Sequence, residues 1–231
     1  MTYEEFKKLV EYEEGFVDHE KRKKGFTEGL FDYQNIKPRI FYRLIAIKGN
    51  EEILERSPHI LFFDMAITFR WLFHENKDGI SSALIEKRHI ESWNVDEEDV
   101  IKEAVRNTPE LFPLKWSRIL EVINQWMELG GPDLPLFVLT NRIGINGASV
   151  IFYKDVWKKF SGISGQGIYI LPSSIHEVLL IAEEEVSDPA DLYQMVWEAN
   201  HTVVTPREFL SNQVLYYDPG TQRIEIARSR K

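Results

Sequence analysis

Between residues 135 and 183 the apolar residues come in four short runs, each ended by a turn residue. The runs are Pro135–Thr140, Ala148–Tyr153, Ile168–Leu171 and Glu177–Ala182, rich in Val, Ile, Phe or Tyr and bounded by Gly, Pro, Asn or Ser. Short β-branched or aromatic segments with such punctuation are the pattern of buried strands. Asn146-Gly147 suits a tight turn with positive φ, so the first two runs are expected to pair as an antiparallel hairpin. Asp155 can cap a short helix carrying Val156, Trp157 and Phe160, and Gly162 can end it. Pro172-Ser173-Ser174 then turns the chain, which makes the last two runs a second hairpin. The fold class that follows is α+β, antiparallel sheet hairpins with packed helices.

The rest of the chain fits that class. Thr2 can cap a helix with Phe6, Leu9 and Val10 at helical spacing, to be ended by Gly15 or the basic run after it. Residues 25 to 33 and 40 to 47 are expected as strands. Ile60–Phe73 and Ile80–Ile90 should form a long hairpin turning at Asp78-Gly79. Asn94 or Asp96 opens a helix with Val100, Ile101, Ala104 and Val105 on one face, ended by Pro109 and Pro113. Lys115–Leu129 has the apolar spacing of another helix. Asp188-Pro189 opens one with Leu192, Met195, Val196 and Ala199 inward, and Asp218-Pro219-Gly220 joins a terminal hairpin. Gly130-Gly131-Pro132 is the strongest boundary signal. It predicts α+β subdomains over 1–130 and 131–231, or a sharp loop within one continuous domain. The order of capped helix, Asn and proline recurs in the two halves (Asp96, Asn107, Pro113 and Asp188, Asn200, Pro206), a faint sign of two hairpin-helix units.

Several chemistries fail on residue type. There are no cysteines, which removes disulfides, thiol catalysis and Cys-type zinc sites. The pairs His19-Glu20, His74-Glu75 and His176-Glu177 each lack the second His one turn on that a zinc helix needs, so no metal is expected. The glycines match neither the dinucleotide fingerprint nor the phosphate loop, and no cofactor is expected. A net charge of −9 argues against binding nucleic-acid phosphates. The basic run Lys21-Arg22-Lys23-Lys24 reads as a solvated face. With no 18-residue apolar run and a charged N-terminus, no membrane partner is expected and the cytoplasm is the simplest location.

Two constellations remain. Ser173-Ser174-Ile175-His176-Glu177 offers a hydroxyl, an imidazole and a carboxylate, so Ser174, His176 and Glu177 are the candidate catalytic residues of a hydrolase. The competing reading has the hydroxyls satisfying turn backbone and His176 making a structural hydrogen bond. The loop Asn141–Gly147 offers Asn141, Arg142 and Asn146 as a small-ligand site, Arg supplying a planar fork of donors for an anion.

The segments TNRIGINGASVIFY, YILPSSIHEVLLI and DLYQMVWEANHTVVTPREFLSNQVLYYD resemble an uncharacterised domain family of clostridial and related Firmicutes. The similarity continues upstream through RIFYRLIAIKGNEEILERSPHILFFDMAITFRWL and covers most of the chain from about residue 39, the first 38 residues matching less well. The resemblance implies a bacterial intracellular protein and transfers no catalytic residue. The leading expectation is a non-catalytic binding or interaction protein for an unknown protein or small ligand. The alternatives are a Ser174/His176 hydrolase and a ligand sensor using the Asn141–Gly147 loop.

Overall fold

The computed structural model describes residues 1–12, 32–76, 79–119, 136–164 and 166–228, and divides into two compact units, Met1–Pro113 and Leu114–Lys231. Both are α+β with antiparallel sheets. The proposed break at Gly130–Pro132 lies outside the described residues, as do residues 25–31 of the strand expected over 25 to 33 and the end of the first helix; the last residue of that expected strand, Tyr33, instead opens a helix capped by Asp32.

The first unit contains α1 (Tyr3–Tyr12), α2 (Tyr33–Ile36), β1 (Ile40–Ala46), α3 (Glu51–Arg56), β2 (His59–Phe62), β3 (Met65–Asn76), β4 (Gly79–Leu84), α4 (Lys87–Trp93) and α5 (Glu97–Leu111). Thr2 caps α1 as expected: its Oγ1 accepts from Glu5 N at 3.3 Å, and its own N–H donates to Glu5 Oε2 at 2.7 Å. β3 is the spine of the sheet. β1 lies along one side, from Ile40↔Trp71 to Ala46↔Met65, while β2 and β4 share the other side in succession. The segment expected as one strand, Ile60–Phe73, is therefore two strands folded at Phe63–Asp64. Phe63 sits at φ 57°, a position normally given to Gly or Asn, so no residue type marked the turn. Beyond β4 the expected strand ends early, because α4 begins at Lys87.

Among the described residues β1 is an edge strand, and α5 covers it. Thr108 Oγ1 accepts from Tyr42 N at 3.1 Å, and Asn107 Nδ2 donates to Ile40 O at 3.2 Å and Lys37 O at 2.9 Å. Both side chains are buried, so they satisfy edge groups that would otherwise be unpaired. Val100, Ile101, Ala104 and Val105 are buried as their spacing required. Pro109 lies inside α5 rather than ending it.

The second unit holds β5 (Leu114–Arg118), β6 (Leu136–Asn141), α6 (Val156–Ser164), β7 (Ile168–Leu171), β8 (Val178–Ala182), α7 (Pro189–Thr202), β9 (Leu215–Asp218) and β10 (Arg223–Ile226). The sheet order is β10-β9-β7-β8-β6-β5, every pair antiparallel. The β7–β8 pair and the terminal hairpin form as expected, and a helix follows Asp155, although it runs through Gly162, expected to end it, as far as Ser164.

Three expectations are corrected. The run Ala148–Tyr153 does not pair with β6: Gly147–Phe152 is a buried 3-10 helix. Both edges of β6 are already filled, by β8 from Leu136↔Ile181 to Leu139↔Val178 and by β5 from Leu114↔Asn141 to Arg118↔Phe137. The start of the expected helix Lys115–Leu129 is instead strand β5; residues 120–129 lie outside the described residues. In α7, Asp188 caps as expected, accepting from Ala190 N at 2.9 Å, and Leu192 and Val196 are buried, but Met195 is 39% exposed. Asn200 Nδ2 donates to Ser211 O at 2.9 Å, tying the helix to the chain that leads into β9.

Candidate functional site

The chain between β7 and β8 runs through Pro172–Glu177, and it is clasped on both sides by backbone hydrogen bonds. On one side Ile175 N donates to Glu208 O at 2.8 Å and Leu210 N to Ser173 O at 3.1 Å, with Ser174 bridged to Phe209. On the other, Ala148 N donates to Ile175 O at 3.1 Å and Thr140 Oγ1 to His176 O at 2.7 Å. The clasp is close. A Cβ on Gly147 would collide with Thr140 Oγ1 and His176 O and lie 2.9 Å from Asn141 N, so only glycine permits this approach.

The structure brings both candidate constellations together. Asn146, left-handed at φ 55°, donates its N–H to His176 Nδ1 at 3.3 Å. Accepting that bond places the ring proton on Nε2, which faces Glu208 Oε1 at 3.6 Å. Glu208 Oε2 accepts in turn from Thr205 Oγ1 at 2.9 Å. The Ser174 hydroxyl, 5% exposed, accepts from His176 N at 3.0 Å and hydrogen-bonds the Glu177 carboxylate. Burial pushes the Glu177 carboxyl up; Ser174 and His176 oppose that rise and the charge of Glu208 adds to it.

Asn141 is spent on its own loop. Its Oδ1 accepts from Ile143 N at 3.0 Å and Gly144 N at 2.8 Å, and its Nδ2 donates to Ile145 O at 2.8 Å. It is 2% exposed, whereas Arg142 beside it is exposed. Sequence reasoning did not single out Thr140 or Glu208. Thr205-Pro206-Arg207-Glu208 has the spacing of a helix-start box, a readable signal for a rigid turn. Nothing in that signal points to His176, 32 residues upstream in sequence terms. Among the described residues no group of three or more His, Asp or Glu could hold a metal ion, and no helix is long and apolar enough to cross a membrane.

Fold and site define an α+β protein whose polar cluster is knitted into the backbone. The chain belongs to the family of unknown function DUF5688, which it matches over residues 2–219. No curated protein and no solved structure matches it.

Proposed function

We propose that this chain is a non-catalytic binding protein of the bacterial cytoplasm, recognising a protein or small ligand rather than nucleic acid or a membrane. One observation carries the reading. A general base needs a free lone pair within reach of the nucleophile, and the lone pair of His176 sits on Nδ1, where it accepts the Asn146 N–H. The Ser174 hydroxyl bonds to the His176 backbone and to Glu177. These are the bonds of a structural turn, and they support the binding reading over a hydrolase. The net charge of −9 speaks against nucleic acid, and the resemblance of the TNRIGINGAS and ILPSSIHEVLL segments supports a bacterial intracellular setting.

The test is incubation with a broad serine-directed fluorophosphonate, followed by mass spectrometry. Ser174 should stay unlabelled. Labelling of Ser174 that vanishes in a folded His176→Ala variant would establish the hydrolase instead.

A further inference from the structure

We propose that the sheet of the first unit carries a binding site for a dianionic phosphomonoester, built on Arg43 and Arg70. The proposal is independent of the Ser174–His176 cluster and goes beyond the binding reading by naming a ligand class and a place.

The strand register sets the geometry. Arg43 of β1 pairs with Thr68 of β3, and Arg70 of β3 pairs with Phe41 of β1. Side chains alternate along a strand and residues directly opposite share a face. Phe41, Arg43, Thr68 and Arg70 therefore lie on one face, with the two arginines as diagonal neighbours, about 7–8 Å apart in such pairings. His59 joins them as the β2 partner of Thr68, and Ser82 as the β4 partner of Leu72. This face thus carries two arginines, a histidine and two hydroxyls.

Its charge is unbalanced. Arg70 is held by neutral acceptors: its Nε donates to Ser82 Oγ at 2.9 Å and its Nη2 to Ser82 O at 2.7 Å. Arg43 Nε is buried with no hydrogen-bond partner among the described residues, and neither arginine meets a carboxylate there. Burial, and after it the charge of Arg43, lowers the Arg70 guanidinium to about 10; burial lowers Arg43 as well. Both still carry full charge at neutral pH. Two partly buried like charges on neighbouring positions oppose folding unless something negative joins them. Their partial exposure leaves that place open to solvent.

The ligand class follows from charge and shape. Two guanidinium forks present several coplanar N–H donors, the arrangement that suits phosphate oxygens. A phosphomonoester carries about −1.5 to −2 at pH 7, which matches the two positive charges. Ser82 and Thr68 flank the arginines, and His59 Nδ1 is engaged by Ser57 O at 3.1 Å, which orients its ring on this face.

The experiment is thermal unfolding and calorimetry with inorganic phosphate and phenyl phosphate, at ionic strength held constant with chloride. The midpoint of the wild-type protein should climb with the logarithm of phosphate concentration. Arg43→Met should lose about 10- to 100-fold in phosphate affinity, the value of a charge-assisted pair of bonds. Without phosphate the same variant should unfold at a higher temperature than wild type, because an uncompensated charge has gone. Arg43→Lys, which keeps the charge but not the fork, should also bind more weakly. Arg142→Ala, in the other unit, should bind as wild type does. A wild-type midpoint that responds to phosphate no more than to chloride overturns the proposal, and so does a phosphate response retained in Arg43→Met.

Discussion

Replacing Gly147 by alanine should destabilise the second unit by about 2–4 kcal/mol. The added methyl would collide with Thr140 Oγ1 and His176 O and come within 2.9 Å of Asn141 N. Two of these are backbone atoms and cannot rotate away. Forcing an extra carbon into a packed site costs roughly 1–3 kcal/mol. Relief of the collision separates Thr140 from His176 O, giving up a 2.7 Å hydrogen bond worth about 1 kcal/mol net. Urea unfolding would report it, followed by the fluorescence of Trp157, whose ring stacks on Tyr217 at 4.9 Å. With a slope of about 2 kcal/mol per molar urea, the midpoint should fall by about 1–2 M. Gly144→Ala is the comparison: no atom lies within 4 Å of its added Cβ, and φ is +76°. It should pay only left-handed strain, about 1–2 kcal/mol, and leave the His176 ring signals in place. An unchanged midpoint in Gly147→Ala would refute the claim that this loop is pressed against the Pro172–Glu177 segment.

Further outcomes follow from the same cluster. His176→Ala removes the acceptor for Asn146 N–H and should cost about 1–3 kcal/mol, whereas His176→Asn, which can place an oxygen near the Nδ1 position, should recover most of that; equal losses in urea unfolding would contradict the acceptor role. Glu177, raised above its ordinary 4.5 mainly by burial, binds more protons folded than unfolded between those two values. Its stabilising contribution is thus complete below the ordinary value and is lost as pH rises through the folded one. Glu177→Gln should flatten that part of the melting-temperature profile, and an unaltered slope would show that the carboxyl is not buried as described.

The legible parts of the fold were those with local chemistry of their own. Asp188-Pro189 carries both a cap and a first-turn proline, and Thr2 and Glu5 form a reciprocal cap, so α7 and α1 could be placed from sequence. Asp218-Pro219-Gly220 fixes its turn through Asp218 Oδ1, which accepts from Gly220 N at 2.8 Å. What escaped was decided by distant chain. The run Ala148–Tyr153 has strand-like residues, yet β5 and β8 take both edges of β6 and leave it to coil. Phe63 adopts a left-handed turn that its residue type disfavours, because the pairing of β2 with β3 imposes it. The Ser174–His176–Glu177 cluster was visible, but its meaning depended on Asn146, Thr140 and Glu208, which only the folded sheet brings to it. The Arg43–Arg70 pair gave no motif at all, since 27 positions separate the two residues and only strand register unites them.

The central claim is that the His176 lone pair belongs to the backbone, and nitrogen NMR of protein labelled with 15N-histidine tests it most directly. Nδ1 should be the unprotonated nitrogen, with the ring proton on Nε2, and the Nδ1 signal should shift when Gly147→Ala opens the clasp. A proton resident on Nδ1, or an imidazole unaffected by that substitution, would contradict it and return His176 to the pool of available bases.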